Sequence, residues 1–436
     1  MHPILFRIPM PGWQLPWLGK VMALPIYSYG VMLGLSIVVG WYLTLGLARR
    51  DGLPTDDMAN NYVFTALLAI LGSRVLYVIT NPSEFTAWTD LFALRRGGLV
   101  AYGGFLGGFL GSWLYLRSKQ LPLLPWADVA VPSLATGLMI TRIGCYLFGC
   151  DFGKPLGASA PGWLQRMGSF PHWPEGTLDK GGGSPAWVAH YERHLIDINA
   201  AHSLPVHPTQ IYESLVGLSL FGLVMLQRRH QTFRGQVFLL FTFAYGFLRY
   251  GIEILRDDAE RGEYGPLLSE HLIVPGGLLL LALGYIFFVA RAVENRGLRV
   301  VTQAVAVLPA VGLYLALRPP SFGEAVLVRL STSQWVAVLT GIAAAIAYGT
   351  FWDAARAHPE RAMELGLPGT VGPDGQLVPF APDAPVADPG APRKRKKKAS
   401  ESSSSEAPDG EAEPATSDET RTKDAADGAD EGLKPV

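Results

Sequence analysis

Of 436 residues, 49% are hydrophobic and only 17% charged, and the formal net charge is −1. A mean hydropathy of +0.23, reached in spite of a very polar C-terminal stretch, excludes a soluble globular domain and points to an integral membrane protein. The near-zero net charge averages opposed blocks and gives no ground for a nucleic-acid partner.

In chain order, residues 1–26 lack the apolar core of a cleavable signal and are expected to form an outer-side N-terminal segment. Stretches of spanning length follow at roughly 27–48, 61–80, 98–116, 127–148, 208–227, 236–255, 272–291, 300–317 and 334–352. They predict an all-α polytopic membrane protein, with a seven-helix transmembrane core over 27–291 and about two additional C-terminal transmembrane helices over 292–353. Arg49 and Arg50, then Arg117 and Lys119, then Arg228, Arg229 and Arg234, then Arg291, Arg296 and Arg299 make every second loop basic. The positive-inside rule therefore places the N-terminus outside and the C-terminus in the cytoplasm, with Arg95 and Arg96 as an exception. Residues 354–436 are expected to be a disordered cytoplasmic tail, in which a Pro, Ala and Gly-rich stretch leads into the basic run Arg393 to Lys398 and an acidic end.

The longest segment between spans, an outer cap over 150–206, carries Trp163, Trp173 and Trp187, whose rings suit a membrane interface. His190 and His194 are four apart, a spacing that a zinc pair or an exposed amphipathic helix would each produce; with no HExxH pattern present, no metal is expected.

Charges inside the apolar runs carry the functional signal. Arg249, Glu253 and Arg256 fall on one face of a helix, and a guanidinium near hydrocarbon costs a few kcal/mol unless it is paired internally or snorkels to the headgroups. Arg142 also lies in an apolar run and is followed by Gly144, Gly149 and Gly153, a combination suited to a phosphate. Tyr102 precedes Gly103 and Gly104, and Gly103, Gly107 and Gly111 give the spacing of close helix packing. In HPTQIYES, Pro208 suits a first helical turn, while His207, Gln210 and Glu213 run along one side. Cys145 and Cys150 are the only cysteines; an uninterrupted helix would turn them apart, whereas a break at Gly149 would bring them together. They are read as packing thiols, with a disulfide and a nucleophilic Cys145 as the other readings.

With Tyr29-Gly30, the glycine-rich run after Tyr102, RIGxxxxGxxxGKP from Arg142, HPTQIYE from His207 and RYGIEILR from Arg249, residues 25–291 resemble bacterial prolipoprotein diacylglyceryl transferases. The resemblance implies a seven-helix transferase-like core in the inner (cytoplasmic) membrane, phosphatidylglycerol and prolipoprotein signal sequences as partners within membrane lipid, and no cofactor. It also implies transfer of the diacylglyceryl group to the lipobox cysteine thiol, with release of glycerol phosphate. Arg142, Arg249 and Tyr102 would be catalytic. Tyr29, Gly103, Gly104, Gly144, Gly153, His207, Gln210, Tyr212, Glu213, Glu253 and Arg256 would bind substrate, with Glu253 and Arg256 holding Arg249. This chain departs from the pattern where Tyr102 replaces a histidine, Cys145 an asparagine and Cys150 an acid. A tyrosine serves as a base only beside positive charge that stabilises its phenolate. The departures leave a second reading, a paralogue that handles phospholipid without this transfer or uses another acceptor.

Overall fold

Inside a bilayer a backbone amide has no water to bind, and a helix satisfies each of its amides locally, so the apolar runs fold as helices. A computed structural model describes residues 3–15, 19–85, 98, 100–173, 182–257, 262–320 and 325–379. The elements run β1 (Ile4–Leu15), β2 (Gly19–Tyr27), α1 (Ser28–Asp51), α2 (Thr55–Thr80), α3 (Ala101–Ser118), α4 (Leu123–Phe148), α5 (Gly162–Gly168) and α6 (Pro185–Glu192). There follow α7 (Thr209–Arg229), α8 (Gln236–Glu253), β3 (Glu263–Ser269), α9 (Glu270–Gly284), α10 (Arg296–Leu317), β4 (Leu327–Ser331), α11 (Thr332–Ala357), β5 (Gly369–Val371) and β6 (Leu377–Pro379). Arg95, Arg96 and the basic and acidic blocks beyond residue 379 lie outside the described residues.

A helix occupies each of the predicted apolar stretches. Among the described residues, 7 helices are long and apolar enough to cross a membrane: α1, α2, α4, α7, α9 with its continuation to Ala292, α10 and α11. α3 and α8, at 18 residues each, fall short because of the glycines of one and the charges of the other. The β-strands form three small two-stranded antiparallel sheets: β1 with β2 and β5 with β6 as hairpins, and β3 with β4 across the intervening α9 and α10. The expected outer-side segment is thus a hairpin, tied to α1 where the Ser28 amide donates to the Pro3 carbonyl.

Small residues decide which helices touch. A Cβ on Gly107 would lie 3.0 Å from the Gly72 Cα, so α3 packs backbone to backbone on α2. A Cβ on Gly217 would come within 2.6 Å of the Met139 amide nitrogen, which gives α7 the same intimacy with α4. α8 packs on α11, where Gly246 faces the Ala337 carbonyl, and α9 covers both through Val274, Leu278 and Leu281. α10 packs on α9 from the outside, through Ala310, its one buried residue, with Leu313 and Leu317.

At the end of the bundle opposite the candidate site, the Asp128 carboxylate of α4 accepts from the backbone amides of Gly235 (2.6 Å) and Phe238 (3.0 Å) at the start of α8. It does for α8 what an N-cap side chain normally does, but from a different helix. Asp51 closes the same end by accepting from Arg228 (2.7 Å) and Arg234 (3.1 Å).

The first part of the expected disordered tail is folded. Leu365, Leu367 and Leu377 pack on the cluster of Leu47, Leu53, Met58 and Leu121, and the Thr55 amide donates to the Gly375 carbonyl. Three leucines suffice to dock a hairpin on an exposed apolar end, a local detail that average composition conceals.

Removing the Asp128 carboxylate strands two buried amides. Asp128→Ala is expected to destabilise the protein by about 1–3 kcal/mol, read as a lower melting temperature in detergent. Asp128→Asn, which keeps one acceptor, should fall between it and wild type.

Candidate active site

The ends of four helices deliver the site. Arg142 is in the last two turns of α4, Glu213 in the second turn of α7, and Arg249 and Glu253 in the last two turns of α8. Ser333 opens α11. The two arginines sit at the negative ends of their helix dipoles and Glu213 at the positive end of its own, so each charge is favoured by the backbone that carries it.

Side chains join these ends into an alternating chain of charge. Glu213 Oε1 accepts from Arg249 Nη1 at 2.8 Å, and its Oε2 is ion-paired with Arg142 Nε. Arg249 Nη1 also pairs with Glu253 Oε2 at 2.7 Å, and the same oxygen lies 3.9 Å from Arg256 Nη1. Asp151 closes the circle, with one oxygen 2.6 Å from Arg142 Nη1 and the other 2.6 Å from Arg256 Nη2. Glu213, Glu253, Arg249 and Arg256 are all buried, and Glu253 is fully so. Three guanidiniums and three carboxylates therefore cancel within one cluster, and paired burial replaces snorkelling as the reason these arginines are tolerated.

Asp151 stands one residue after Cys150, the position at which the family resemblance implies an acid, and sequence reasoning missed it. The chain leaves α4 at Gly149, whose φ of 86° only glycine adopts without strain, and Asp151 follows at a φ of 55°. A left-handed aspartate costs about 1 kcal/mol or more. The cost is offset by its two ion pairs and by Thr209, whose hydroxyl donates to the Asp151 carbonyl. Gln210 holds the preceding carbonyl, that of Cys150. The HPTQ segment thus works as a clamp on the backbone after α4, and Thr209 is a second residue that sequence reasoning missed.

The remaining predicted residues divide between the cluster and its scaffold. Tyr29 of α1 abuts Gly144, where a Cβ would lie 3.2 Å from the Tyr29 Cα, and is within electrostatic reach of Arg142 and Asp151. The Tyr102 hydroxyl is 2.7 Å from Ser333 Oγ, which also accepts from Arg249 Nη2 at 3.1 Å. Gly153 lies where the backbones of His207 and Leu255 meet; a Cβ there would be 2.7 Å from the Leu255 carbonyl oxygen. Gly103 and Gly104 face α2, so their lack of a side chain serves helix packing. His207 Nδ1 is 3.4 Å from the Tyr212 hydroxyl; burial and the neighbouring Lys154 lower its pKa, and neither residue joins the arginine cluster among the described contacts.

The cap corrects two expectations. α6 ends at Glu192 and His194 has a φ of 55°, so His190 and His194 do not share a helical face. His190 is buried and accepts from the Leu204 amide at 3.2 Å. Trp187 is a core residue of the cap, stacked on Tyr191 with ring centroids 5.4 Å apart, whereas Trp163 is exposed.

Cys145 and Cys150 are free thiols brought together by the break at Gly149, and their sulfurs lie within 4.8 Å of each other and of an Asp151 oxygen. A cation held by these three groups would compete with two guanidiniums for the Asp151 carboxylate.

A sequence model of the prolipoprotein diacylglyceryl transferase family matches residues 16–350. The chain belongs to that family. It is similar to phosphatidylglycerol–prolipoprotein diacylglyceryl transferase 2 of Clostridium perfringens, 30% identical over 268 residues that cover 60% of this chain and 93% of the relative. Phosphatidylglycerol–prolipoprotein diacylglyceryl transferase of Clostridium tetani is 29% identical over 258 residues (59% and 91%), and that of Thermus thermophilus 31% over 242 residues (54% and 81%). This is a multi-pass membrane protein of a transferase family. The family match continues past residue 291 through most of α11, the helix that brings Ser333 to the site.

Two outcomes follow from this geometry. Burial opposes ionisation of Asp151, but Arg142, Arg256 and Arg249 prevail and hold its pKa down at about 2. A carboxyl depressed in this way stabilises the fold at any pH above its unfolded value near 4, and the contribution fades as pH falls through the folded value. Asp151→Asn should therefore lower the melting temperature by the same amount at about pH 5 and pH 8, with the gap closing below about pH 4. Intact mass should show two alkylatable thiols with no two-proton deficit, and Cys145→Ala with Cys150→Ala should keep transfer within about threefold.

Proposed function

We propose that this protein transfers the diacylglyceryl group of phosphatidylglycerol to the lipobox cysteine thiol of prolipoproteins, at the outer side of a bacterial inner membrane. The observation that carries the reading is the buried arginine and carboxylate cluster, in which Glu213 links Arg142 to Arg249. The names of the relatives support the substrates. In the reaction the thiol sulfur attacks the glyceryl carbon that bears the phosphate ester. The S–C bond forms as the C–O bond breaks, and the electron pair stays on the phosphate oxygen of departing glycerol phosphate. Arg142 and Arg249 bind the phosphate and stabilise the charge that grows on it; donors already fixed in a dry site need no reorganisation as that charge develops. Tyr102, as the phenolate, takes the thiol proton, and the resulting phenol gives that proton to water before the next turnover. Glu253 and Glu213 aim Arg249, while Asp151 holds Arg142 and Arg256. No metal or soluble cofactor has a part in these steps.

In this reading the N-terminus is outside and the C-terminus cytoplasmic, so the loops with Arg49, Arg117, Arg228 and Arg291 face the cytoplasm and the cap faces out. A reporter active only in the cytoplasm should give signal after Lys398 and none within the cap; the reverse pattern would put the cluster in the wrong leaflet.

The decisive assay is transfer from phosphatidylglycerol to a lipobox peptide, with complementation of a strain depleted of its own transferase. Lysine keeps the charge of arginine but loses the fork that holds two oxygens at once. Arg142→Lys and Arg249→Lys should each lose activity by about 10²-fold, and Arg256→Lys, which acts through Asp151, by about tenfold or less. Full activity in both of the first two would make these arginines structural. Phospholipid binding without transfer by the unaltered chain would favour the lipid-handling paralogue.

A further inference from the structure

Ser333 is the one hydroxyl that touches both halves of the proposed site among the described contacts. Its Oγ accepts from Arg249 Nη2 at 3.1 Å and lies 2.7 Å from the Tyr102 oxygen. Neither neighbour reaches the other by a described hydrogen bond; the serine oxygen is the link. It is also held rigidly. Ser333 is the second residue of α11, whose start is fixed by a capping box in which the Ser331 side chain accepts from the Gln334 amide and the Gln334 side chain accepts from the Ser331 amide. Ser331 is paired in turn with Glu263 in the two-stranded β3–β4 sheet. The expected break between a core ending at 291 and two additional helices does not separate this residue from the site.

We propose that Ser333 is a positioning residue for acyl-glyceryl transfer, its hydroxyl bridging the Tyr102 phenol to the Arg249 guanidinium so that thiol activation and phosphate binding are held at one fixed separation. The proposal rests on the transferase reading and adds a residue to it. A guanidinium can only donate, so Arg249 occupies a lone pair of the serine oxygen, and the serine is left with one proton and one further lone pair. Once Tyr102 has given up its proton, the bridge has a single possible direction: Arg249 donates to Ser333, and Ser333 donates to the phenolate. Each donation polarises the next, so the charge of Arg249 supports the phenolate through the serine without moving off the phosphate. The histidine expected by resemblance at position 102 would carry its own basic nitrogen; a tyrosine needs this external support, and α11 supplies it.

The test is steady-state transfer by the full-length chain in lipid nanodiscs, with phosphatidylglycerol and a lipobox peptide. Ser333→Ala should lower kcat by about tenfold or more, the size of one lost hydrogen bond to a charged partner. KM for phosphatidylglycerol should change by less than about threefold, since the other donors of Arg249 and Arg142 are untouched. Ser333→Thr, which keeps the hydroxyl, should restore kcat to within about threefold of wild type. Tyr102→Phe should lose about 10²-fold, and adding Ser333→Ala to it should cost nothing further, because the two act as one unit. Melting temperature of each variant separates loss of fold from loss of rate. Wild-type kcat in Ser333→Ala, failure of the Thr variant to rescue, or losses that multiply in the double variant would each overturn the bridge while leaving the reaction in place. Absence of transfer by the unaltered chain would overturn the reaction and the bridge together.

Discussion

Everything at the functional end of this protein depends on one electrostatic constraint: three guanidiniums held in an apolar bundle, Arg249 and Arg256 buried and Arg142 half-buried, must each be matched. An unpaired arginine at mid-membrane costs several kcal/mol, and removing one partner of a buried pair costs about 3–5 kcal/mol. The cluster meets the constraint by alternation, with Glu213 between Arg142 and Arg249, Glu253 between Arg249 and Arg256, and Asp151 between Arg256 and Arg142. Because its members come from α4, α7, α8 and the segments that follow α4 and α8, the pairing also sets the relative positions of those elements. A site built to neutralise itself is already ordered before a phosphate arrives, which is what transition-state stabilisation by fixed donors requires.

The rest of the fold supplies the close approach that such short ion pairs need. Gly217 lets α7 meet α4 backbone to backbone, and Gly246 does the same for α8 on α11. Gly153 allows the strand after α4 to run beside Arg256, and the cap is strapped to the same place where Arg193 donates to the Asp257 carboxylate at 2.6 Å. At the opposite end Asp128 and Asp51 hold the helices through backbone amides and arginines, so the bundle is pinned by carboxylates at both ends with glycines between.

Much of the site was legible in the chain because charges in apolar runs are conspicuous. Arg142, Arg249, Glu253 and Arg256 stand out against their neighbours; Arg249 and Glu253 share a face of α8 as 3.6 residues per turn requires, whereas Arg256, expected on the same face, lies past the end of that helix in a bridge with Gly153. Asp151 was hidden by an offset of one residue, since a fixed alignment with the expected acid led to Cys150, and only the left-handed turn at Gly149 shows that the next side chain points back to Arg142. Gly103 and Gly104 were assigned to substrate on the strength of a motif, and the structure turns them to α2. The His190 and His194 spacing meant nothing once α6 stopped between them. Ser333 had no signal at all: a serine near a helix start is common, and its importance lies in being 231 residues from Tyr102 and 84 from Arg249 along the chain while touching both.

By itself, then, the sequence determined what local physics determines: that apolar runs of spanning length become helices, where they begin and end to within one or two turns, and which buried charges demand partners. The tertiary structure alone decided which partner each charge received, that α11 rather than a neighbour nearer in sequence closes the site, and that two cysteines lie side by side without bonding. The reason is physical. Helix formation is settled by hydrogen bonds four residues apart, whereas an ion pair or a bridging hydroxyl depends on how distant backbones approach, and that is fixed by small residues and turn angles acting together across the whole bundle.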